Sequence, residues 1–415
     1  MTTTEDRSAS NDAPTRASLV SSADHWHTPL GPDGTPYAYF ESLRDELEET
    51  RIGWSERHGG FWLVGGYEEA TQILGNAEAF SNRQVTLPKY ETGEFTLIMG
   101  EEDDPDHKRH RGVIASKFSP RKVQDYAAEL RVLTNQLIDG FIGDGRTDIA
   151  ASLADEIPAM LTAVLLGLPP EEGEKYRRWM DAVTHWQYSN PELSLQTTKE
   201  MQEYAANLIE ERRQKPGDDV MSFLVGAETE DGPLTDEELI GYFTILLIGG
   251  IDNSTRFLAT TFWRLAWDVE LRRRLRAHPE LMGSAVDELF RFYGPALGGR
   301  TVTQRVTIGD VTMEPGQMVM LWQPVINRDR KVFTFPDNLV IERSGNRHLS
   351  LSSGIHRCLG VHLARLEASI VISEVLRRIP EFELDRADKP EWTLGQVCGF
   401  RKVPIVFPVG VPENS

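Results

Sequence analysis

Apolar residues recur every three to four positions over most of this 415-residue chain, the spacing that gives a helix one buried face. The stretch 37–49 (YAYFESLRDELEE) shows it first. From residue 67 to about 290 the helical pattern continues, broken by loops near 82–104, 168–172, 188–194 and 214–218. Elsewhere the period switches to two. Ile52-Gly53-Trp54 and Phe61-Trp62-Leu63-Val64 flank a His58-Gly59-Gly60 turn, a hairpin signal. Thr301–Ile308, a Gly309-Asp310 turn, Val311-Thr312-Met313 and Gln317–Trp322 predict a small sheet, and strands are expected again from residue 392 on. The polar start MTTTEDRSASNDAPTRASLVSS predicts a disordered tail over 1–22. No repeat or Gly/Ser/Pro-rich linker divides the remainder, so residues 23–415 are expected to form a single, mainly α domain with a long central helix and a minor β portion.

The long helix is the best-defined element. Thr235 and Glu238 stand in capping-box register, no charge appears from Leu239 to Ile251, and the pattern runs on to about Asp268. At ~1.5 Å per residue it is roughly 50 Å long, enough to cross the domain. Its middle reads Gly249-Gly250-Ile251-Asp252-Asn253-Ser254-Thr255. Each glycine costs a helix about 1 kcal/mol against alanine, and a buried acid and amide are expensive without partners. One reading pairs Asp252 with Arg256 one turn on and leaves the glycines for close helix packing. The other makes the segment a polar notch facing a buried ligand.

Charge then narrows the function. The chain carries 44 Lys+Arg against 64 Asp+Glu, a net charge of −20. That disfavours nucleic acid and anionic membrane surfaces, which demand a basic face. Two cysteines, Cys358 and Cys398, make no disulfide framework, and neither a signal-peptide core nor a membrane span is read, so a reducing cytoplasm is expected.

Cys358 lies in Leu351-Ser352-Ser353-Gly354-Ile355-His356-Arg357-Cys358-Leu359-Gly360, ahead of a helix with Leu359, Leu363, Leu366 and Ile370 on one face. A helix start favours a thiolate. Gly354 and Gly360 remove side chains on either side of it, so a large flat group can approach the backbone, and Ala364 and Ala368 extend the small-residue stripe. A competing reading is zinc held by His348, His356, Cys358 and His362, although structural zinc normally takes more than one thiolate.

These residues resemble the haem-binding loop of the haem-thiolate monooxygenases, the cytochromes P450, whose pattern is Phe-Gly-x-Gly-x-His-x-Cys-x-Gly. Gly354, His356, Cys358 and Gly360 match it, whereas Leu351 and Ser352 replace the Phe and Gly. Glu288-Leu289-Phe290-Arg291 upstream is similar to the family's Glu-x-x-Arg helix motif, and the runs at 327–349 and 105–111 follow its usual sequence. The resemblance spans roughly residues 35 to 410, nearest to soluble bacterial, camphor-hydroxylase-like members. It implies haem b with Cys358 as the iron ligand, propionates held by His107, Arg111, Arg300 and His356, and Gly249, Gly354 and Gly360 against the cofactor. It makes Glu288, Arg291 and Arg343 a structural ion-pair triad. Where most members carry a threonine after the acid, this chain has Asn253. Asp252, Asn253 and Ser254 are accordingly the expected catalytic residues, serving oxygen activation or substrate orientation.

By position in such a fold, Phe95, Leu97, Ile98, Ile245, Ile248, Gly249, Asn253, Ala296, Leu297 and Val397 are expected to line a mostly apolar substrate pocket, with Asn253 its main polar handle. A terpenoid, steroid or small aromatic substrate fits. No flavin or iron–sulfur segment is read, and two cysteines cannot hold a four-ligand cluster. The resemblance therefore implies O2, electrons from NAD(P)H through a reductase and an acidic ferredoxin, and a monomeric enzyme. Residues 107–122 hold six Lys/Arg and no acid, and 343–365 add four arginines and no acid. Lys108, Arg109, Arg111, Lys122, Arg357 and Arg365 are the expected ferredoxin-docking residues. A non-catalytic haem sensor or carrier is the alternative, since it too needs Cys358.

Overall fold

The computed structural model describes residues 16–88 and 97–413; the expectations for residues 1–15 and for Phe95 fall outside them. Helices dominate. They include α1 (Arg16–Ser21), α2 (Tyr37–Thr50), α3 (Tyr67–Gly75), α4 (Asp106–Ile114), α5 (Glu156–Leu166), α6 (Asp236–Trp267), α7 (Met282–Tyr293) and α8 (Val361–Arg378), of which α3 to α8 supply residues to the site. The tail expectation through residue 22 gives way at α1. Leu19 and Val20 are buried there, as is Ala23 just beyond, because two apolar residues in a polar run suffice to dock one turn of helix.

The long helix α6 starts as its cap requires. Thr235 Oγ1 accepts from Glu238 N at 3.2 Å, and the Glu238 carboxylate accepts from Thr235 N at 2.8 Å. Its two ends belong to different cores. Leu239, Tyr242, Phe243, Leu247 and Ile251 pack into one apolar cluster, and Phe257, Leu258, Phe262 and Leu265 into another. The polar middle lies between the two.

Strands β1 (Ile52–Ser55), β2 (Phe61–Val64), β3 (Phe80–Ser81), β4 (Leu297–Val302) and β5 (Met318–Trp322) form one sheet in the order β1-β2-β5-β4-β3. The expected sheet over 301–322 thus divides. β4 and β5 join the N-terminal hairpin, with β5 buried along its whole length. Val306–Ile308 and Val311–Met313 make a separate two-stranded hairpin. A helix over Pro191–Gln214 begins inside the expected 188–194 loop, because Asn190 caps it by accepting from Leu193 N at 3.3 Å. The two- and three-residue strands at Phe80–Ser81, Arg146–Asp148, Glu228–Thr229 and Gly232–Pro233 are too short for alternation to reveal.

Beneath the sheet, Glu288 and Arg291 are fully buried. Glu288 accepts from Arg291 Nη2 at 2.8 Å, Arg343 Nε at 2.9 Å, Asn346 Nδ2 at 3.0 Å and Val340 N at 2.8 Å. Arg291 donates onward to the carbonyls of Asn327, Pro336 and Asn338. A buried ion pair is tolerated only when its remaining lone pairs and protons are satisfied, and here they clamp the 327–346 segment that leads into the cysteine loop. No helix among the described residues is long and apolar enough to cross a membrane.

Candidate active site

A cavity of about 530 Å³ opens where the polar middle of α6 faces the cysteine loop. The loop is held by its own backbone: Cys358 N donates to Leu351 O at 2.9 Å and Arg357 N to Gly354 O at 3.2 Å. Gly360 then caps α8. Cys358 lines the cavity. Burial pushes its thiol up, against the lowering effects of the Gly360 N–H and of Arg111, Arg357 and Arg365.

The four glycines expected to clear room have different jobs. A Cβ on Gly249 would meet nothing within 4 Å, so that face of α6 is open to the cavity, and one on Gly360 would come no nearer than 3.9 Å to Cys358 Sγ. A Cβ on Gly250 would stand 2.4 Å from Thr162 Oγ1 on α5, so Gly250 serves helix packing. Gly354 has φ +69° and its Cβ would meet Leu74 O at 2.1 Å. It lets the loop lie against the end of α3 and is absent from the cavity wall, contrary to the expectation of a cofactor contact.

At one edge of the cavity basic side chains gather. Arg300 is buried, forms no ion pair among the described residues, and donates to Gly299 O at 2.6 Å. Burial lowers its pKa to about 10, Asp103 partly offsetting this. The His107 and His356 rings lie 4.2 Å apart, and the buried Nε2 of each has no partner. Burial, with His107 and Arg300 adding to it, pushes His356 down to about 3. Arg111 lines the cavity beside them and donates to Arg357 O at 2.6 Å. His107 itself stands behind His356, outside the cavity wall. Arg300 without an ion-pair partner among the described residues, and the unpaired Nε2 atoms of His107 and His356, fit a ligand with carboxylate edges.

On the opposite side Asp252 is 2% exposed and meets two bases, His185 Nε2 at 3.3 Å and Arg256 Nε at 3.7 Å. Both readings of the notch therefore hold at once: Asp252 pairs with Arg256, and it lines the cavity. Burial opposes a charge on His185, but Asp252, joined by Asp181, holds its pKa above the ordinary imidazole range. Asn253 and Ser254 line the cavity too, and the Asn253 Oδ1 is buried without a partner. Ser254 hydrogen-bonds Glu367 on α8, a buried acid that desolvation pushes up to about 8. Glu367 was not anticipated, although one acid on the apolar face of α8 was the signal for it.

Leu97, Ile245, Ile248, Ala296, Leu297 and Val397 line the cavity. Ile98 does not; its Cγ2 packs where a Cβ on Gly241 would be 3.0 Å away, within the helical core. Sequence reasoning missed Trp26, Met99, Val183, Thr184, Gln187, Tyr188 and Gln396. Trp26, Met99 and Gln396 come from loops, and Val183, Thr184, Gln187 and Tyr188 from short helical turns over 182–189, none with a local signature. The proposed zinc set does not assemble, since the groups of His348, His356, Cys358 and His362 fail to gather within ligand distance. His348 instead stacks over Phe290 at 6.0 Å.

A half-buried cysteine lining the same cavity as the open Gly249 face of α6, with basic groups at the cavity's edge, fits a flat metal macrocycle with anionic edges, as in haem proteins of the thiolate class. Comparison with known proteins agrees. The family model described as Cytochrome P450 matches residues 179–405. The chain is 30% identical over 357 residues to the putative cytochrome P450 YjiB of Bacillus subtilis (strain 168), covering 84% of this chain and 88% of that one. It is 33% identical over 293 residues to the polyketide biosynthesis cytochrome P450 PksS of the same organism, covering 70% and 72%. The crystal structure of CYP101J2 superposes with a TM-score of 0.85 at 28% identity, over 96% of this chain and 100% of that one. The chain belongs to the cytochrome P450 family and is a haem b-dependent monooxygenase.

Proposed function

We propose that Cys358 would ligate the haem iron and that this chain hydroxylates a hydrophobic molecule bearing one or two oxygen functions. Haem, when bound, would supply the activation of dioxygen, one oxygen atom entering a C–H bond and the other leaving as water with two electrons and two protons. The chain's own residues do the rest. Arg300, Arg111 and His356, backed by His107, would hold the haem propionates. The free Asn253 Oδ1 and the Ser254 hydroxyl position water or a substrate oxygen in the cavity. Asp252 passes protons into the cavity from His185, whose partial exposure opens the pair to solvent. Apolar walls at Leu97, Ile245, Ile248, Ala296, Leu297 and Val397 exclude bulk water.

A terpenoid, steroid or aromatic substrate suits such walls, with the unpaired Asn253 Oδ1 to orient it by a hydrogen bond. The name of PksS assigns that relative to polyketide biosynthesis, which is consistent with an oxygenated aliphatic skeleton. Electrons come from a ferredoxin served by a reductase, in the cytoplasm, to a monomeric enzyme. Among the expected docking residues, Lys108 and Arg357 are exposed and enter no ion pair among the described residues. Arg109 is engaged by Glu238, Arg365 by Asp287 at 2.7 Å, and Lys122 by Asp125 at 3.3 Å in an exposed pair. The docking face therefore centres on Lys108, Lys122 and Arg357.

The observation that carries this reading is that Cys358 and the open Gly249 side of α6 line one cavity. The test is the absorption spectrum of the reduced, CO-bound protein. A red-shifted Soret band of the thiolate type, lost in Cys358→Ala, is expected. Haem binding with an unshifted band would exclude Cys358 as the ligand. Absence of turnover and of any spin shift across a broad screen of hydrophobic compounds would favour a sensor or carrier.

A further inference from the structure

We infer that the chain carries a second metal site, unconnected with the haem, in which Asp24, His25 and His58 bind a zinc-type divalent cation and cross-link the N-terminal segment to the β1–β2 turn. One ligand atom from each residue lies within 4.8 Å of the others, and theirs is the grouping of this kind among the described residues. Asp24 and His25 are 7% and 1% exposed, while His58 sits at the surface edge with 15% of its side chain open, a route of entry.

The protonation pattern suits a metal better than a closed hydrogen-bond network. His25 Nε2 lies 2.8 Å from Leu87 O, an acceptor only, so that nitrogen carries the proton. Nδ1 is then an unshared lone pair, buried and without a partner. An imidazole that donates one nitrogen to a backbone carbonyl and leaves the other bare is the usual posture of a metal-ligating histidine.

Asp24 is already oriented. Its Oδ1 accepts from Trp26 N at 2.9 Å and meets His58 Nε2 at 2.9 Å. Its Oδ2 meets Nδ1 of His27, a mostly exposed fourth candidate, at 2.9 Å. Two ligands ~2.0 Å from a tetrahedral zinc stand about 3.3 Å apart, so small side-chain shifts complete the site. One carboxylate with two or three imidazoles is a donor set of the zinc type. His58 is held there at φ +53°, a left-handed conformation uncommon outside glycine. The site reaches the cavity through Leu87 O, which also accepts from Nε1 of Trp26, a cavity-lining residue, at 2.7 Å.

The test uses tag-free, haem-loaded protein dialysed against micromolar zinc chloride, with zinc and iron counted in the same sample. A zinc-to-iron ratio of about one is expected, with a Tm that rises on zinc addition and falls back with EDTA. In His58→Gln and His25→Gln, zinc uptake at the same free concentration should fall roughly tenfold or more, while iron content and the absorption spectrum stay those of the parent. His58→Gln, at the partly exposed turn, decides the matter should His25→Gln fail to fold. No zinc uptake by the parent chain, or equal uptake by parent and variant, overturns the assignment.

Discussion

Asp252 and His185 face each other at 3.3 Å, the acid on the long helix and the imidazole on a π-helical turn, Ala182–Trp186. Such turns widen a helix by one residue and recur at functional sites. Here the widening lies where His185 reaches the carboxylate. Because Asp252 raises the His185 pKa, the ion pair is complete at lower pH and is lost as pH rises through that raised value.

If this pair carries protons to the cavity, His185→Phe should slow turnover by roughly 100-fold and enlarge the solvent deuterium isotope effect, with substrate affinity unchanged. Single-turnover kinetics in H2O and D2O check this. An unchanged isotope effect would remove His185 from the proton path and leave it as a structural partner of Asp252.

The adjacent glycines of α6 should separate cleanly. Gly250→Ala drives a methyl into Thr162, whose Oγ1 is 2.4 Å from the new Cβ. It should cost about 1–3 kcal/mol from overpacking, less the gain in helix propensity. Adding Thr162→Ala should restore most of the loss in thermal denaturation. Gly249→Ala meets no atom within 4 Å; it should keep or raise Tm, yet alter ligand binding by filling the open face of the cavity.

How much of this was legible in the sequence depended on whether the information was local. The long helix was, since its Thr235–Glu238 cap and its uncharged run both lie within a few turns. The cysteine loop was also, because its glycines and Cys358 are consecutive. The cavity wall was legible only where it follows such motifs. Trp26, Gln187 and Tyr188 reach it from segments distant in sequence, and Trp26 meets Tyr188 edge-on at 5.0 Å. Ile98 erred for the same reason: only the tertiary approach of Gly241 shows that it turns to the core. The opposed effects at Cys358 were likewise invisible, because the dipole can be read from a helix start but burial cannot.

Ser352 occupies a position where the family pattern has glycine, and its φ is +59°. A side chain in the left-handed region costs roughly 1–2 kcal/mol, part of which glycine returns through the entropy of the unfolded chain. Ser352→Gly should therefore stabilise the chain by roughly 0.5–1 kcal/mol, seen as a higher midpoint in denaturant titration with an unchanged slope. A lower midpoint would mean that the hydroxyl makes a stabilising contact once haem is in place.

Charge reversal should divide the basic residues by what already holds them. Lys122→Glu and Arg357→Glu should slow reduction by an acidic ferredoxin and flatten its dependence on salt, without loss of Tm. Arg109→Glu should instead lower Tm, because it sets two acids against each other where Arg109 now pairs with Glu238. Stopped-flow reduction at several ionic strengths, beside thermal melts, distinguishes the two groups. Equal rates for Lys122→Glu, Arg357→Glu and the parent would move the docking face elsewhere.

Glu367 makes the sharpest pH prediction. Desolvation holds its native pKa at about 8, against the ordinary 4.5 of a free glutamate, with the Ser254 hydrogen bond opposing the rise. Between these values the native chain keeps the proton while the unfolded chain releases it. The native state then binds more protons, so stability falls as pH rises through this window. Below the unfolded value both states are protonated and the effect is absent. Glu367→Gln removes the titration but keeps the shape and a hydrogen-bonding group for Ser254. Relative to the parent, the variant should gain a few kcal/mol of stability on going from acidic pH to pH about 8, measured as the difference between denaturation curves at the two pH values. A parallel pH dependence in both proteins would mean that Glu367 is ionised in the native state, with a cation or an ordered water network compensating it.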